Sequence, residues 1–389
     1  MTTSSVPAQA ARRTIRVTHL LHTVAYGGVE TVVLNWLRRL DASRFTTDLI
    51  CFENPGGGGS ERPFVEAAER AGFSVAKIPW SRRKPFLSAA RALETIVRDR
   101  GTDILHTHNT YADCVGALVK RRTGVKAITT LYVWADFGWK RNLLQRVNRF
   151  AIRNFERVTA HCEATYRKSL ELGIPERKLR TLICGFEAAA VEIDESERAR
   201  ARRALGIADE TVLVAYVARF YPEKAHHRLL RNFEEIHQRA PETHLWMVGV
   251  GPLEEQLRQA CTRMGLDGAV TFMGFFDDLA GRLPWIDIQV HPSDMEGVAL
   301  AICTGMAAGL PLVCTDVGGV SEVIHDGRTG RLVPHGDDRA FIEAVLRLVR
   351  DPGERRTLGE GARRFIQSDY SLAKAVKGVE ETYLDMMVR

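Results

Sequence analysis

Short apolar runs alternate with longer amphipathic stretches along almost the whole chain. Each run is followed by positions with helical spacing, and a repeated order of strand, crossover helix and strand is typical of a parallel sheet. The pattern therefore predicts an α/β protein. The strands predicted in the first half are 15–22, 47–52, 73–79, 103–108 and 126–132.

The same alternation begins again after a polar, charged segment at 194–207, which we interpret as a linker helix. Two series of strands predict two doubly wound, Rossmann-like domains. Ligands of such sheets bind beyond the carboxyl ends of the strands, so two facing domains predict a site in the cleft between them. The strands predicted in the second half are 210–220, 243–251, 269–274, 286–293, 310–316 and 329–334.

The domain boundaries follow from the point at which the alternation of strands and helices begins again. We expect an N-terminal domain over 14–190 and a C-terminal domain over 191–370. Residues 1–13 are rich in Ser, Thr and Ala and contain no apolar segment. This composition predicts a disordered lead rather than a signal peptide.

Composition narrows the class of protein. With 389 residues, 45% hydrophobic and 26% charged, the chain has the make-up of a globular protein, and no apolar run approaches the roughly 18 residues of a membrane span. The net charge of +6 argues against a dedicated nucleic-acid binder and suits small phosphorylated ligands. Seven cysteines stand singly without metal-ligand spacing, which favours buried, reduced thiols and a cytoplasmic location.

Two pairs of glycines follow predicted strands. Gly27 and Gly28 open a helix, where backbone N–H groups form a ready anion site, although such a turn equally serves packing. Gly249 and Gly251 bring the backbone close to a base or phosphate, or simply form a tight turn. A full GxGxxG with an acid about 20 residues later is missing, which counts against a nicotinamide-dependent oxidoreductase.

Cations also follow a strand of the second domain. Arg219 and Lys224 lie five positions apart on a loop that enters a helix. Together they could clamp a diphosphate, because Arg offers a planar fork and Lys a point charge. The alternative is a solvated loop in which Glu223 neutralises Lys224.

Acids and histidines stand at two further strand ends. Ser293, Asp294 and Glu296 precede a helix, where they could cap it or accept hydrogen bonds from a polyol. His106 and His108 end a strand of the first domain, and alternation places both on one face. They are either core histidines with satisfied hydrogen bonds or residues of the cleft.

The part of the first domain that follows its fifth predicted strand gives the weakest signal. Tyr132, Trp134 and Trp139 precede a helix rich in Arg and could stack on the rings of a ligand, or belong to the core. The helix also carries apolar positions at 143, 144, 147, 150 and 155. It either packs on the sheet as an ordinary amphipathic helix, which we favour, or makes a weak peripheral contact with a membrane.

Taken together and in this order, the motifs resemble those of the retaining glycosyltransferases of family 4. The resemblance runs from about Ile15 to the C-terminus and implies the GT-B fold of two facing Rossmann-like domains. It also implies a C-terminal helix, 371–389, that crosses back to the N-terminal domain. The motifs are "AYGGVE", "DILHTH", "VARFYPEK", "VGVGPLEEQL", "HPSDMEGVAL", "GMAAGLPLVCTDVGGVSEVI" and "DGRTGRLVP".

The resemblance implies hexose transfer from a nucleoside-diphosphate sugar, with UDP favoured, to a hydroxyl acceptor. The N-terminal domain would bind the acceptor, which is a polysaccharide, a lipid-linked glycan or a natural-product aglycone. The C-terminal domain would bind the donor. No metal or cofactor is implied, since cations and helix N-terminal amides neutralise the leaving diphosphate.

The implied roles fall on matching positions. Arg219 and Lys224 would hold the diphosphate, Glu296 would bind the sugar hydroxyls, and these three with His108 form the implied catalytic set. The amides after Glu296 would help to hold the sugar and phosphate, and Gly28 would close from the other domain. The whole implied donor set is Gly27, Gly28, Arg219, Lys224, Gly249, Gly251, Glu296, Gly297, Val298, Ala299, Leu300 and Thr304.

Two positions depart from the family pattern. Thr304 stands where a second glutamate, eight positions after Glu296, would bind the ribose hydroxyls. Three outcomes stay open: weaker nucleotide binding, an unusual donor, or a catalytically silent relative. Cys184 replaces the Asn of an Asn-Gly pair, and we expect Gly185 to keep its positive φ.

Overall fold

A computed structural model describes residues 13–22, 27–53, 61–81, 83–132, 139–187, 195–276, 279 and 281–388 of the chain. The predicted lead, 1–12 in particular, lies outside the described residues. So does the predicted boundary between residues 190 and 191. The described residues form two parallel sheets, each covered by helices.

The first sheet has seven parallel strands in the order β3-β2-β1-β4-β5-β6-β7. The first five correspond to strands predicted from the sequence, while β6 and β7 were missed because each contains a single large apolar residue and so forms no apolar run. The strands are β1 (Ile15–Leu21), β2 (Phe45–Glu53), β3 (Val75–Pro79), β4 (Ile104–His108), β5 (Lys126–Leu131), β6 (Arg157–Ala160) and β7 (Leu179–Thr181).

The second sheet has six parallel strands in the order β10-β9-β8-β11-β12-β13. All six were predicted, with ends that differ by a few residues. They are β8 (Val212–Val217), β9 (Thr243–Val248), β10 (Val270–Gly274), β11 (Ile288–His291), β12 (Leu312–Asp316) and β13 (Arg331–Pro334).

Helices connect the strands and cover both faces of each sheet, as buried parallel strands require. In the first half they are α1 (Gly28–Leu37), α2 (Arg62–Arg70), α3 (Phe86–Arg100), α4 (Thr110–Thr123), α5 (Trp139–Ile152) and α6 (Glu163–Glu171). In the second half they are α7 (Glu195–Ala204), α8 (His226–Arg239), α9 (Glu254–Arg263), α10 (Leu300–Ala307), α11 (Asp338–Arg350), α12 (Pro352–Asp369) and α13 (Leu372–Val388).

The strand order places a switch point in each sheet. The chain moves from β1 to one side and then returns to its other side at β4, and it does the same at β8 and β11. Loops that leave the carboxyl ends of such strand pairs diverge and open a crevice for a ligand. The loops after β1, β4, β8 and β11 carry most of the residues that the sequence singled out.

The last helix, α13, lies against the first sheet although it follows the second in sequence. Asp385 accepts hydrogen bonds from Arg157 at 2.8 Å and from Arg180 at 2.9 Å. The buried hydroxyl of Tyr383 lies 2.7 Å from His106 Nδ1. This helix therefore ties the end of the chain to the N-terminal half.

One apolar core runs across both halves of the molecule. It contains Trp36 and Leu182 from the first half, Ile302 and Met306 of α10, and Val379 of α13. All seven cysteines are free and buried. Among the described residues, no helix has both the length and the apolar character needed to cross a membrane.

Candidate active site

A buried ion pair joins two of the predicted site residues. Lys224 Nζ lies 2.6 Å from Glu296 Oε1, and the Glu296 side chain is only 6% exposed. Ser293 donates to the same oxygen at 2.8 Å, and Tyr216 binds both Ser293 and the Lys224 carbonyl, at 2.9 and 2.8 Å. The loops after β8 and β11 are thereby held together. Lys224 is paired with Glu296 rather than with Glu223.

Arg219 lies on the same loop after β8 as Lys224 and is exposed. Its guanidinium stacks on the ring of Tyr221, 4.8 Å from the centroid. It forms no ion pair with any carboxylate in the part of the chain that the structure describes. A ligand can therefore recruit its charge without breaking an existing ion pair.

The glycines after β9 hold two loops together. A Cβ on Gly249 would lie 2.1 Å from the Ala218 carbonyl oxygen, and one on Gly251 would lie 2.5 Å from the Phe220 carbonyl oxygen. Of the two alternatives from the sequence, packing against the Arg219 loop accounts for both glycines. Their contact with the donor stays a prediction.

The loop before α10 contacts the first domain directly. Val298 N–H donates to His161 Nε2 at 2.8 Å, and His161 Nδ1 lies 3.3 Å from the Leu131 carbonyl oxygen. Burial lowers the pKa of His161 to about 4, so its imidazole is neutral and can accept this bond. The Val298 amide is therefore engaged with the first domain, and its role in holding a sugar or phosphate stays a prediction.

The same contact between the loop before α10 and the first domain explains why position 297 is a glycine. A Cβ at this position would lie 2.4 Å from the His161 ring and 2.7 Å from the Tyr132 carbonyl oxygen. Glycine is needed here because another chain segment approaches it. Ala299 follows as the N-cap of α10, and Leu300 begins the helix.

The first-domain glycines meet α10 from the opposite side. The position of a Cβ on Gly28 would be 3.6 Å from the Leu300 Cβ, so the two domains approach each other closely here. Gly27 differs from the prediction of a free anion-binding amide. Its N–H donates to the Glu30 carboxylate at 3.1 Å, which is the half of a capping box that needs no side chain at the N-cap.

Thr304 lies on α10, about one turn after the helix begins at Leu300. Its hydroxyl donates to the Leu300 carbonyl oxygen at 2.8 Å, a bond within the helix. The donor hydrogen is therefore engaged, and only an acceptor lone pair is left for a ligand.

His108 belongs to a buried cluster of three histidines. His106 and His108 lie on one face of β4, as alternation predicts, and stack at 4.2 Å between ring centroids. His108 Nε2 lies 3.1 Å from His19 Nδ1, and His108 Nδ1 lies 3.2 Å from the Tyr132 hydroxyl. The His108 side chain is fully buried, and its position near the donor sugar stays a prediction.

The histidine cluster is also the metal candidate among the described residues, with one nitrogen of each ring within 4.8 Å of the others. Burial lowers the pKa of His19 to about 3, and burial also holds the pKa values of His106 and His108 well below the ordinary range. The rings are stacked, so their in-plane lone pairs do not converge on one point. Hydrogen bonding accounts for the arrangement better than metal ligation does.

The predicted acceptor aromatics are only partly described. Tyr132 contacts His108 and reaches the second domain through its carbonyl group. Trp134 and the side chain of Trp139 lie outside the described residues.

Comparison with known families agrees with this geometry. A family model for "Glycosyl transferase 4-like domain" matches residues 27–185, and one for "Glycosyl transferases group 1" matches residues 211–351. The chain belongs to glycosyltransferase family 4. The predictions of the family, of the GT-B fold and of a glycosyltransferase are thereby confirmed.

Individual relatives of this glycosyltransferase are distant. N-acetyl-alpha-D-glucosaminyl L-malate synthase of Bacillus anthracis is 26% identical over 309 residues, 77% of this chain and 79% of that protein. GDP-mannose-dependent alpha-(1-6)-phosphatidylinositol monomannoside mannosyltransferase of Mycolicibacterium smegmatis is 26% identical over 325 residues, 80% and 84% of the two chains. The crystal structure of Anabaena Alr3699/HepE with UDP-glucose has a TM-score of 0.83 at 19% identity, covering 95% and 100%.

Two contacts in this glycosyltransferase were not predicted from its sequence. His161 accepts a hydrogen bond from Val298 in the loop before α10. Glu322 accepts hydrogen bonds from the N–H groups of Glu163 and Ala164, at 2.9 and 3.0 Å. Glu322 is visible in the motif "GGVSEVI", but nothing in the sequence indicates its partner. Gly185 has the predicted positive φ of 72°.

Proposed function

We propose that this glycosyltransferase moves a hexose from a UDP-sugar to a hydroxyl acceptor, with retention at the anomeric carbon and without a metal ion. The observation that carries the proposal is the buried Lys224–Glu296 pair beside the exposed Arg219. These residues lie at the carboxyl ends of β8 and β11, where the second sheet has its switch point.

The Lys224–Glu296 ion pair suggests how a bound donor would replace a contact within the protein. A diphosphate between Arg219 and Lys224 would draw Lys224 away from Glu296. Glu296 would then accept hydrogen bonds from the hydroxyls of the sugar, with Ser293 still in contact. The two cations would stabilise the charge that develops on the leaving diphosphate, which is the work a metal ion does in other transferases.

UDP is favoured because the structurally similar Anabaena protein was crystallised with UDP-glucose. A GDP-sugar is the competing donor, since the mycobacterial relative is named for GDP-mannose. The acceptors in the relatives' names, malate and a phosphatidylinositol monomannoside, differ in size and polarity. They share a hydroxyl group, and we propose no finer acceptor class from them.

Calorimetric titration tests the donor site. The purified chain is titrated with UDP, GDP, dTDP and ADP, first without metal and then with EDTA. We expect saturable binding of UDP that the chelator leaves unchanged. Binding that needs a divalent cation would refute metal independence, and binding of none of the four would refute the nucleotide-sugar assignment.

Lys224→Ala and Arg219→Ala test the diphosphate assignment. Each should slow release of UDP from the UDP-sugar by about 100-fold or more, on the order of 3 kcal/mol of transition-state stabilisation. Arg263→Ala is the matched control, because Arg263 is an exposed cation of the same domain at the end of α9. Near-normal rates in both site variants would contradict the assignment. The anomeric configuration of the product, read by NMR, tests retention.

A further inference from the structure

An exposed apolar stripe runs along α5. Nine large apolar side chains are exposed among the described residues, and three of them lie on this one helix. Leu143 is 56% exposed, Val147 51% and Phe150 72%. Spacings of four and three residues place them on one face, so they form a continuous surface rather than scattered exposures.

The opposite face of α5 holds the helix in place. Asn148 and Ile152 are buried, and Ile152 packs in a small core with Leu131 and Phe155. The Asn148 side chain also hydrogen-bonds Asp113. The expectation of an ordinary amphipathic helix accounts for this inner face, but it leaves the outer stripe unexplained.

Basic residues border the stripe. Arg146 is exposed between Leu143 and Val147, and Arg149 is half-buried next to Phe150. The sequence of α5, WKRNLLQRVNRFAI, contains four basic residues and no acid. The helix thus combines apolar side chains and positive charge on one side, which matches the interface of a membrane that contains anionic lipids.

The position of α5 relates this surface to the site. β5 ends at Leu131, and α5 is the next helix of the chain. The Leu131 carbonyl contacts His161, which in turn binds the loop before α10. The helix therefore follows the strand whose carboxyl end faces the second domain.

We propose that the face of α5 formed by Leu143, Arg146, Val147, Arg149 and Phe150, the α5 face, docks on an anionic lipid membrane surface. The apolar side chains enter the boundary between headgroups and acyl chains, and the arginines bind lipid phosphates. The charge complementarity selects lipid over a second copy of this chain, since two such faces would bring like charges together.

Vesicle sedimentation tests the α5 face. The full chain is mixed with vesicles of phosphatidylcholine alone and with vesicles in which about a third of the lipid is phosphatidylglycerol. We expect binding to the anionic vesicles that weakens as salt rises. Phe150→Ser should reduce the partition coefficient at least about tenfold, and Arg146→Gln about fivefold.

Matched controls lie on the second domain. Leu205→Ser removes an apolar side chain that is 45% exposed, and Arg263→Gln removes an exposed cation. Both should bind vesicles like the unaltered chain, and thermal unfolding should show that all variants are folded. Absence of binding to anionic vesicles, or equal losses in the controls, would overturn the proposal.

Sedimentation velocity without lipid tests whether a second copy of this chain, rather than a membrane, binds the α5 face. A dimer that Phe150→Ser dissociates would assign the α5 face to a second copy and overturn membrane docking. A monomer that binds anionic vesicles supports it. Vesicle binding and UDP binding are separate measurements, so failure of one leaves the other standing.

Discussion

At the scale of single residues, position 304 is where the ribose of a donor is predicted to bind. A carboxylate there would offer two charged oxygens to the ribose hydroxyls, whereas Thr304 offers only the lone pairs of one neutral oxygen, because its hydroxyl hydrogen is donated to Leu300. We expect Thr304→Glu to tighten UDP binding about tenfold, which corresponds to about 1.4 kcal/mol. The dissociation constant from calorimetric titration measures this change.

Thr95→Glu is the control for that substitution. Thr95 is an exposed residue of α3 whose hydroxyl makes the same kind of bond, to the Arg91 carbonyl oxygen at 3.2 Å. It should leave UDP binding unchanged. Unchanged or weaker affinity in Thr304→Glu would show that the pocket has been remodelled around threonine.

At the scale of single residues, the sequence predicts which residues belong to the site better than it predicts which residues they contact. Arg219, Lys224 and Glu296 were recognisable because each follows a predicted strand. The Lys224–Glu296 pair was not, since the two residues are 72 positions apart. The buried histidine cluster was not predicted for a related reason, because α13 supplies the Tyr383 hydroxyl that contacts His106 and His19, and this helix is far from both residues in sequence.

Among the elements, β4, β5, α4 and α5 meet at one buried carboxylate. Asp113 on α4 accepts from Thr107 on β4 at 2.6 Å and from Thr129 on β5 at 2.7 Å, and Asn148 on α5 also binds it. Burial nonetheless raises its pKa from 3.8 to about 6. The folded chain thus keeps a proton that the unfolded chain releases between about pH 4 and pH 6.

The sign of the pH dependence follows from this difference. Because the folded state binds the proton more tightly, the contribution of Asp113 to stability falls as pH rises from 4 to 6 and stays low above 6. Asp113→Asn removes the titration and keeps an acceptor for the threonines. We expect it to stabilise the chain at pH 8 by up to about 3 kcal/mol and to have little effect near pH 4.

Urea unfolding at pH 4.5 and pH 8 measures this effect. Asp99→Asn, at an exposed position of α3, is the control and should shift the midpoint equally at both pH values. A stabilisation by Asp113→Asn that does not grow with pH would mean that Asp113 is ionised in the folded chain at both values.

The periodic pattern predicted the strands that form apolar runs and missed the two that do not. Eleven of the strands stand out as such runs, including β11 and β13 with four residues each, but β6 and β7 each contain a single large apolar residue. Both owe their conformation to pairing with the strand beside them, β5 and β6 respectively. α7 was predicted as part of a linker, and its Arg202 binds Asp287 of the second domain at 2.9 Å.

At the scale of the whole molecule, no local sequence pattern predicts how the two domains are placed relative to each other. The segment from His161 to Ala164 meets two loops of the second domain, through Val298 and through Glu322. His161 and Val298 are 137 positions apart. Their contact depends on how two separately folded sheets face each other, so the sequence predicted a cleft but not the residues that close it.

Glu322 offers the most direct test of how the two domains are held in the closed arrangement, in which they contact each other. Its carboxylate accepts from two N–H groups at the start of α6, where a negative charge also interacts favourably with the helix dipole. Glu322→Gln keeps one acceptor, loses the charge and turns an N–H donor toward the second amide. Removing about 1–2 kcal/mol from this contact lowers the ratio of the closed to the open arrangement of the domains about tenfold.

We therefore expect Glu322→Gln to increase the radius of gyration measured by small-angle scattering and to slow turnover of the UDP-sugar about tenfold. The dissociation constant of UDP should change less than about threefold, since the proposed diphosphate residues all belong to the second domain. Glu171→Gln is the control, because Glu171 lies at the other end of α6 and pairs with Lys168. An unchanged radius and rate in Glu322→Gln would mean that closure is held by the apolar core that both domains share.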